Sequence, residues 1–134
     1  MTEAQLHRAV ADFLRVALKP PTIWTTIGHG GGGRVRGAML KAAGVQPGWP
    51  DIVVIAPRWR KNHHNPNGRT ISGTRVIGIE LKALRGRTSP EQDAVASSFI
   101  GVGSVYEVCK SVEQVEGALR YWGFDLHAST GAKR

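Results

Sequence analysis

Acidic residues are in short supply in this chain. Its 10 Asp and Glu stand against 18 Lys and Arg, which gives a formal charge of +8 and an isoelectric point near 10.4. A basic excess on a small domain points to a polyanionic partner, nucleic acid ahead of an acidic membrane surface. Cysteine is scarcer still. Cys109 stands alone, so an intrachain disulfide and a thiolate-rich zinc site are both excluded, and its apolar-alternating surroundings read as a packed side chain. No apolar run approaches the ~20 residues that a membrane span needs. The opening "MTEAQL" lacks the basic and apolar regions of a signal peptide. The expectation is an intracellular, cytoplasmic protein with no membrane partner. No GKS or GKT follows the glycine run, which argues against a P-loop nucleotidase.

What is present is ordinary for a globular chain: 134 residues, 41% hydrophobic and 21% charged, enough for one domain with a real core. Leu6, Val10, Phe13, Leu14, Ala17 and Leu18 form one stripe of an amphipathic helix over residues 2–18, "TEAQ" supplies a capping box, and Pro20-Pro21 end it. "TIWTTI" is a short strand before the glycine run "GHGGGG", and "MLKAAG" is a helical turn or short helix closing at Gly44. A Gly/Pro turn, "QPGWP", opens into a buried strand from Asp51 to Ala56. Residues 57–73, polar, basic and rich in turn formers, read as a loop or ragged hairpin. "TRVIGIELKA" returns as a strand, and "SPEQ" combines a cap at Ser89, a first-turn proline and Gln92. A helix over 91–99, a strand in "GSVYEVCKS" and a last helix from Ser111 to about Trp122 follow. The fold class is α/β: a small mixed β-sheet flanked by helices, in one domain over 1–124 with a frayed tail over 125–134.

The chemistry gathers in "RVIGIELKALRGRTSPEQ". Glu80 and Lys82 are two apart on a strand, so they share a face about 6.6 Å apart. If the two long strands pair as an antiparallel hairpin, the start of one lies beside the end of the other. That brings Asp51 next to Glu80 and Lys82. Two converging carboxylates repel unless a cation lies between them, and hard oxygen ligands suit Mg²⁺. Lys82 is then placed to orient a water or to steady developing negative charge.

"PGWPDIVV", "GIELKALRGRTSPEQ" and "GSVYEVCKS" together resemble the VRR-NUC branch of the PD-(D/E)xK nuclease superfamily. Pro50-Asp51 matches the PD element, Glu80-Leu81-Lys82 matches ExK, and Gly86-Arg87 with Ser89-Pro90-Glu91-Gln92 matches the branch's "GR.SPEQ" segment. The resemblance covers residues 3–122 and implies an α-β-β-β-α-β restriction-endonuclease-like core. It implies a nuclease in which Asp51, Glu80 and the Leu81 carbonyl hold Mg²⁺ or Mn²⁺. Glu3 is the natural match for an acid on the first helix, acting through water or on a second ion, with His7 one turn on; Gln92 becomes an active-site-facing residue as well as a cap. The chain looks like the stand-alone, phage- or bacterium-borne type. That type implies a homodimer acting as a structure-selective DNA endonuclease, such as a Holliday-junction resolvase. A non-catalytic DNA-binding module and a sequence-specific restriction-type nuclease are the alternatives. In either case Arg34, Arg36, Lys41, Arg58, Arg60, Lys61, Arg85 and Arg87 are the expected contacts to DNA phosphates.

Three decoys are set aside. "GHGGGG" satisfies GxGxxG, yet Asp51 precedes its strand, where a ribose-binding acid should follow. "NHHNPN" resembles an HNH nuclease motif but lacks the later His and Asn. Trp49, Trp59 and Trp122 have faces for stacking on bases, while Trp122 on the last helix reads as core.

Overall fold

The computed structural model describes residues 1–27, 33–62 and 64–131. The chain forms α1 (Glu3–Ala17), β1 (Ile23–Thr26), α2 (Gly33–Ala42), β2 (Ile52–Asn62), β3 (Asn65–Leu81), α3 (Pro90–Gly101), β4 (Val105–Cys109) and α4 (Val112–Tyr121). One mixed sheet has the order β1-β2-β3-β4. Its first two pairings are antiparallel and β3–β4 is parallel, as a strand reached through a helical crossover should be.

Alternation divides the sheet into two faces. Ile52, Val54, Ala56, Ile77, Ile79, Leu81 and Cys109 point to one side and pack against Leu6, Val10 and Leu14 of α1 and Val115 and Leu119 of α4. Burying each such side chain stabilises the fold by roughly 1.5–3 kcal/mol. Burial also pushes the Cys109 thiol up to about 12, so it stays neutral and inert. On the other face, α3 covers the β3–β4 side through Phe99, whose ring meets Trp49 and Tyr106 edge-on at 5.4 and 5.7 Å.

Both expected capping boxes form. Thr2 caps α1 with Gln5, and Ser89 caps α3 with Gln92. Two elements differ from the sequence expectation, and a third resolves the alternatives it left. The short helix before Gly44 begins earlier, at Gly33, and so carries Arg34 and Arg36 as well as Lys41. Of the loop and the ragged hairpin read over 57–73, the chain forms the hairpin: the β2–β3 ladder runs on past Pro57↔Thr74 to Asn62↔Asn65, broken by irregularities at Arg58/Trp59 and Lys61/Asn62. The tail is docked rather than frayed through Gly131, while residues 132–134 lie outside the described residues. Phe124 is buried, Leu126 and Ala128 pack on the core, and the His127 amide donates to the Ala17 carbonyl at 2.9 Å. Glu116 anchors it, accepting from the Thr130 amide at 2.8 Å, from the Ser129 hydroxyl and from Arg120 Nε. The glycines at 28–32 and His63 also fall outside the described residues.

Candidate active site

The β2–β3 register pairs Ile52 with Ile79. Carried one residue further, it sets Asp51 directly across from Glu80, where facing side chains share a surface about 5 Å apart. The hairpin geometry expected from the sequence is therefore present. Asp51 is fixed at both ends: its carboxylate Oδ2 accepts the Leu81 amide at 2.7 Å, and its carbonyl accepts the Ile27 amide at 2.8 Å. Leu81 contributes backbone only, since its side chain lies in the core.

The turn before Asp51 is held by α3. Gly48 has φ +91°, and a Cβ there would run into the Glu91 carbonyl. Pro50 lies on Gly78, where an added Cβ would sit 2.7 Å from Pro50 Cγ and 2.9 Å from Phe99. The PGWPD turn, the glycine of GIELK and the SPEQ helix thus interlock, which is the packing reason these segments belong together.

Glu80 ends the central part of β3, between β2 and β4, and is only 3% exposed. Its Oε1 accepts from Gln92 Nε2 at 2.5 Å and pairs with Lys82 Nζ at 3.2 Å. Its Oε2 is buried with no hydrogen-bond partner among the described residues. Burial, then the nearby Asp51 charge, push its carboxyl up to about 7, while Lys82 pulls the other way. A carboxylate so placed is costly unless neutralised. Gln92 performs both of its expected roles: its Oε1 accepts the Ser89 amide at 2.9 Å to close the capping box, and its Nε2 orients Glu80.

Glu3, in the exposed first turn of α1, lies 4.0 Å from Lys82 Nζ, so it approaches the site from the far side of the ammonium. His7, one turn on, is held by Thr26 Oγ1 at 3.1 Å. Among the described residues, no group of three or more His, Cys, Asp and Glu side chains gathers as a metal cluster. The acidic centre is a facing pair plus a lysine. Compared with protein-family models, curated proteins and solved structures, the chain finds no match in any of the three.

Tyr106 escaped the sequence reading. On β4, it pairs with Gly78 of β3, and its buried hydroxyl has no hydrogen-bond partner among the described residues. Burial, with Glu80 next, pushes its phenol well above the ordinary range, so the O–H remains a neutral donor beside the acidic pair. The available signal was alternation: Tyr106 shares the face of Val108, which pairs with Glu80.

The expected phosphate contacts fall into two groups. Arg85 and Arg87 are exposed on the connection from β3 to α3, directly after Lys82. Arg34, Arg36 and Lys41 are exposed on α2; the turn that follows it, at Gly44, Val45 and Gln46, lines a recess of about 270 Å³ with Ile27 and Trp49. Arg58, Arg60 and Lys61 do not join them. They lie seven to ten residues along β2 from Asp51, about 23–33 Å away. No helix among the described residues is long and apolar enough to cross a membrane.

Proposed function

We propose that this chain is a metal-dependent nuclease that hydrolyses phosphodiester bonds in DNA. The observation that supports it most is Glu80: a buried carboxylate facing Asp51, with one oxygen lacking a hydrogen-bond partner among the described residues. That donor set, two carboxylates and backbone carbonyls without cysteine or histidine, fits a hard divalent cation. Asp51 and Glu80, with the Leu81 carbonyl that the resemblance implies, are the residues to hold Mg²⁺ or Mn²⁺, which when bound polarises a scissile phosphate and lowers the pKa of an attacking water.

The remaining roles belong to the chain itself. Lys82, tethered by Glu80, presents its ammonium to negative charge developing on the phosphate. Gln92 fixes the rotamer of Glu80, and Asp51 is fixed by the Leu81 amide, so both carboxylates are positioned before substrate arrives. Glu3 holds the outer side of Lys82. Arg85 and Arg87 are placed to take the phosphates that flank the site. Branched DNA as substrate, and a twofold dimer that makes paired cuts on a four-way junction, rest on the resemblance to stand-alone VRR-NUC proteins.

The test is cleavage of labelled duplex, flap and four-way-junction DNA, with Mg²⁺ or Mn²⁺ and with EDTA. Wild type should cut only with the metal. Asp51→Asn, which retains an oxygen for the Leu81 amide, and Lys82→Ala should each lower cutting by at least about 10³-fold. Asp51→Asn should keep its affinity for DNA. Binding without cleavage of any substrate would leave a non-catalytic DNA-binding module instead, and fixed-site cuts in plain duplex would indicate a restriction-type enzyme.

A further inference from the structure

The outer half of the β2–β3 hairpin needs a reason to exist. Past Pro57 it leaves the packed sheet as a two-stranded ribbon, and such ribbons are marginal alone. Its residues are mostly exposed, including Ile71 at 59%, so little apolar burial supports it. From Ile52 to Ile79 the chain carries Arg58, Arg60, Lys61, Arg69 and Arg75 and no Asp or Glu. Crowding like charges on a marginal ribbon lowers its stability further.

Part of the ribbon is tied down. Arg69 lies 5.0 Å over the Trp59 ring and pairs with Asp125 at 3.3 Å. Arg75 reaches the Trp122 carbonyl and stacks 4.6 Å from the Phe124 ring. These contacts anchor the foot. They leave Arg58, Arg60 and Lys61 exposed, and among the described residues none of the three makes an ion pair. At the foot, Lys19, Trp59, Arg69, Arg75 and His127 line a cavity of about 130 Å³ whose lining includes one acid, Asp125. The buried Arg75 Nε has no hydrogen-bond partner. The whole region is an anion-seeking surface at the opposite end of the sheet from Asp51 and Glu80.

We propose that this arm is a second nucleic-acid contact, a ribbon that grips backbone phosphates about 23–33 Å from the reacting phosphodiester, so that a productive substrate must extend that far beyond the cut. The inference rests on the nuclease reading for what happens at the other end, but the grip itself needs no chemistry. At 3.4 Å per base pair, the span equals roughly seven to ten base pairs of duplex. The occupant is duplex DNA rather than a protein acid patch, because the cations run along the arm at strand spacing instead of converging on one point.

The experiment measures fluorescence anisotropy in EDTA with hairpin DNA of about 6 and about 20 base pairs, stems below and above the span just derived. The triple variant R58Q/R60Q/K61Q is compared with wild type. Wild type should bind the long stem at least about tenfold more tightly than the short one, and the variant should lose most of that gain. The slope of log affinity against log salt should fall by about two to three for the triple variant and by about one for Lys61→Gln alone. Thermal unfolding of both variants confirms that they fold, and the single variant carries the test if the triple does not. At protein concentrations well below saturation, cutting of the long stem should fall in step with the lost affinity. Variants that bind the long stem with the wild-type slope and affinity overturn the arm, even if wild type cleaves DNA. An arm-dependent slope in a protein that never cleaves keeps the arm and sinks the nuclease reading. Loss of cutting at saturation with unchanged binding also overturns the grip.

Discussion

Replacing Glu80 with Gln should stabilise the metal-free protein above neutral pH and leave it nearly unchanged in acid. The carboxyl is displaced from 4.5 to about 7, by burial first and the facing Asp51 charge second. A carboxyl raised in the folded state holds its proton longer there than in the unfolded chain. The associated stability is therefore complete below about pH 4.5 and drains away as pH rises through 7. Converted at 1.36 kcal/mol per pH unit, the loss is on the order of 3 kcal/mol. For a domain of this size that is roughly 10 °C in Tm. Glutamine has nearly the same shape, still accepts from Gln92 Nε2 and carries no charge. At pH 5 wild-type Glu80 is itself mostly protonated, so the loss of the Lys82 pair affects both proteins alike.

The assay is thermal unfolding of wild type and Glu80→Gln in EDTA from pH 5 to 8.5. The curves should lie closest at the acid end, separate progressively as pH rises toward 7, and keep a constant gap above about 7.5, with the variant the more stable. Adding Mg²⁺ should raise wild type at pH 8 and leave the variant where it was, because ligand binding to the folded state adds stability. Parallel curves across the whole range would mean that the carboxylate is comfortable without a cation. The case for a metal at this position would then fall.

Glu116 should show the opposite sign. Hydrogen bonds from the Thr130 amide above all, opposed by burial and helped by Arg120, hold its carboxyl down to about 2. The stability it lends is present above about 4.5 and lost as pH falls toward 2, so Glu116→Gln should flatten the acid limb of the unfolding profile. Gly48→Ala should destabilise by about 1–3 kcal/mol in urea unfolding, since it combines a left-handed φ with a clash at the Glu91 carbonyl. Gly37→Ala, in α2 with open space around the added carbon, is the control and should be neutral or stabilising by up to about 1 kcal/mol.

Local chemistry was the most legible part of the sequence. A capping box is decided within four residues, so Thr2–Gln5 and Ser89–Gln92 were readable without the fold. The Asp51–Glu80 juxtaposition was readable because an antiparallel hairpin has one geometry once its strands are found. What the sequence hid depends on distant partners. Residues 125–131 look like tail because they are mostly polar or small, and it is distant groups that make them structure: Glu116, the Ala17 carbonyl and the core surface under Leu126 and Ala128. The outer hairpin was half legible for a different reason: Asn, Pro and Gly signal loop and hairpin alike, and the choice falls to the hairpin because an existing ladder can extend through polar residues by adding hydrogen bonds. Tyr106 hid because its significance comes from Gly78 and Glu80 on a neighbouring strand.

β3 changes character along its length, from Arg69 and Arg75 through the buried Ile77 and Ile79 to Glu80. The acidic pair and the arm's Arg58, Arg60 and Lys61 are separated by about three to four Debye lengths at physiological salt, where the screening length is about 8 Å. Coulomb forces between them are therefore nearly extinguished, and the two ends titrate and bind as separate units joined by a rigid core. The consequence for a polyanion is an order of events. The acidic pair repels a phosphate until its charge is neutralised, while the arm attracts one with or without a metal. On the reading proposed above, DNA held first at the arm would meet a cleft whose readiness depends on a cation, so affinity and cutting would be set by different residues of one hairpin.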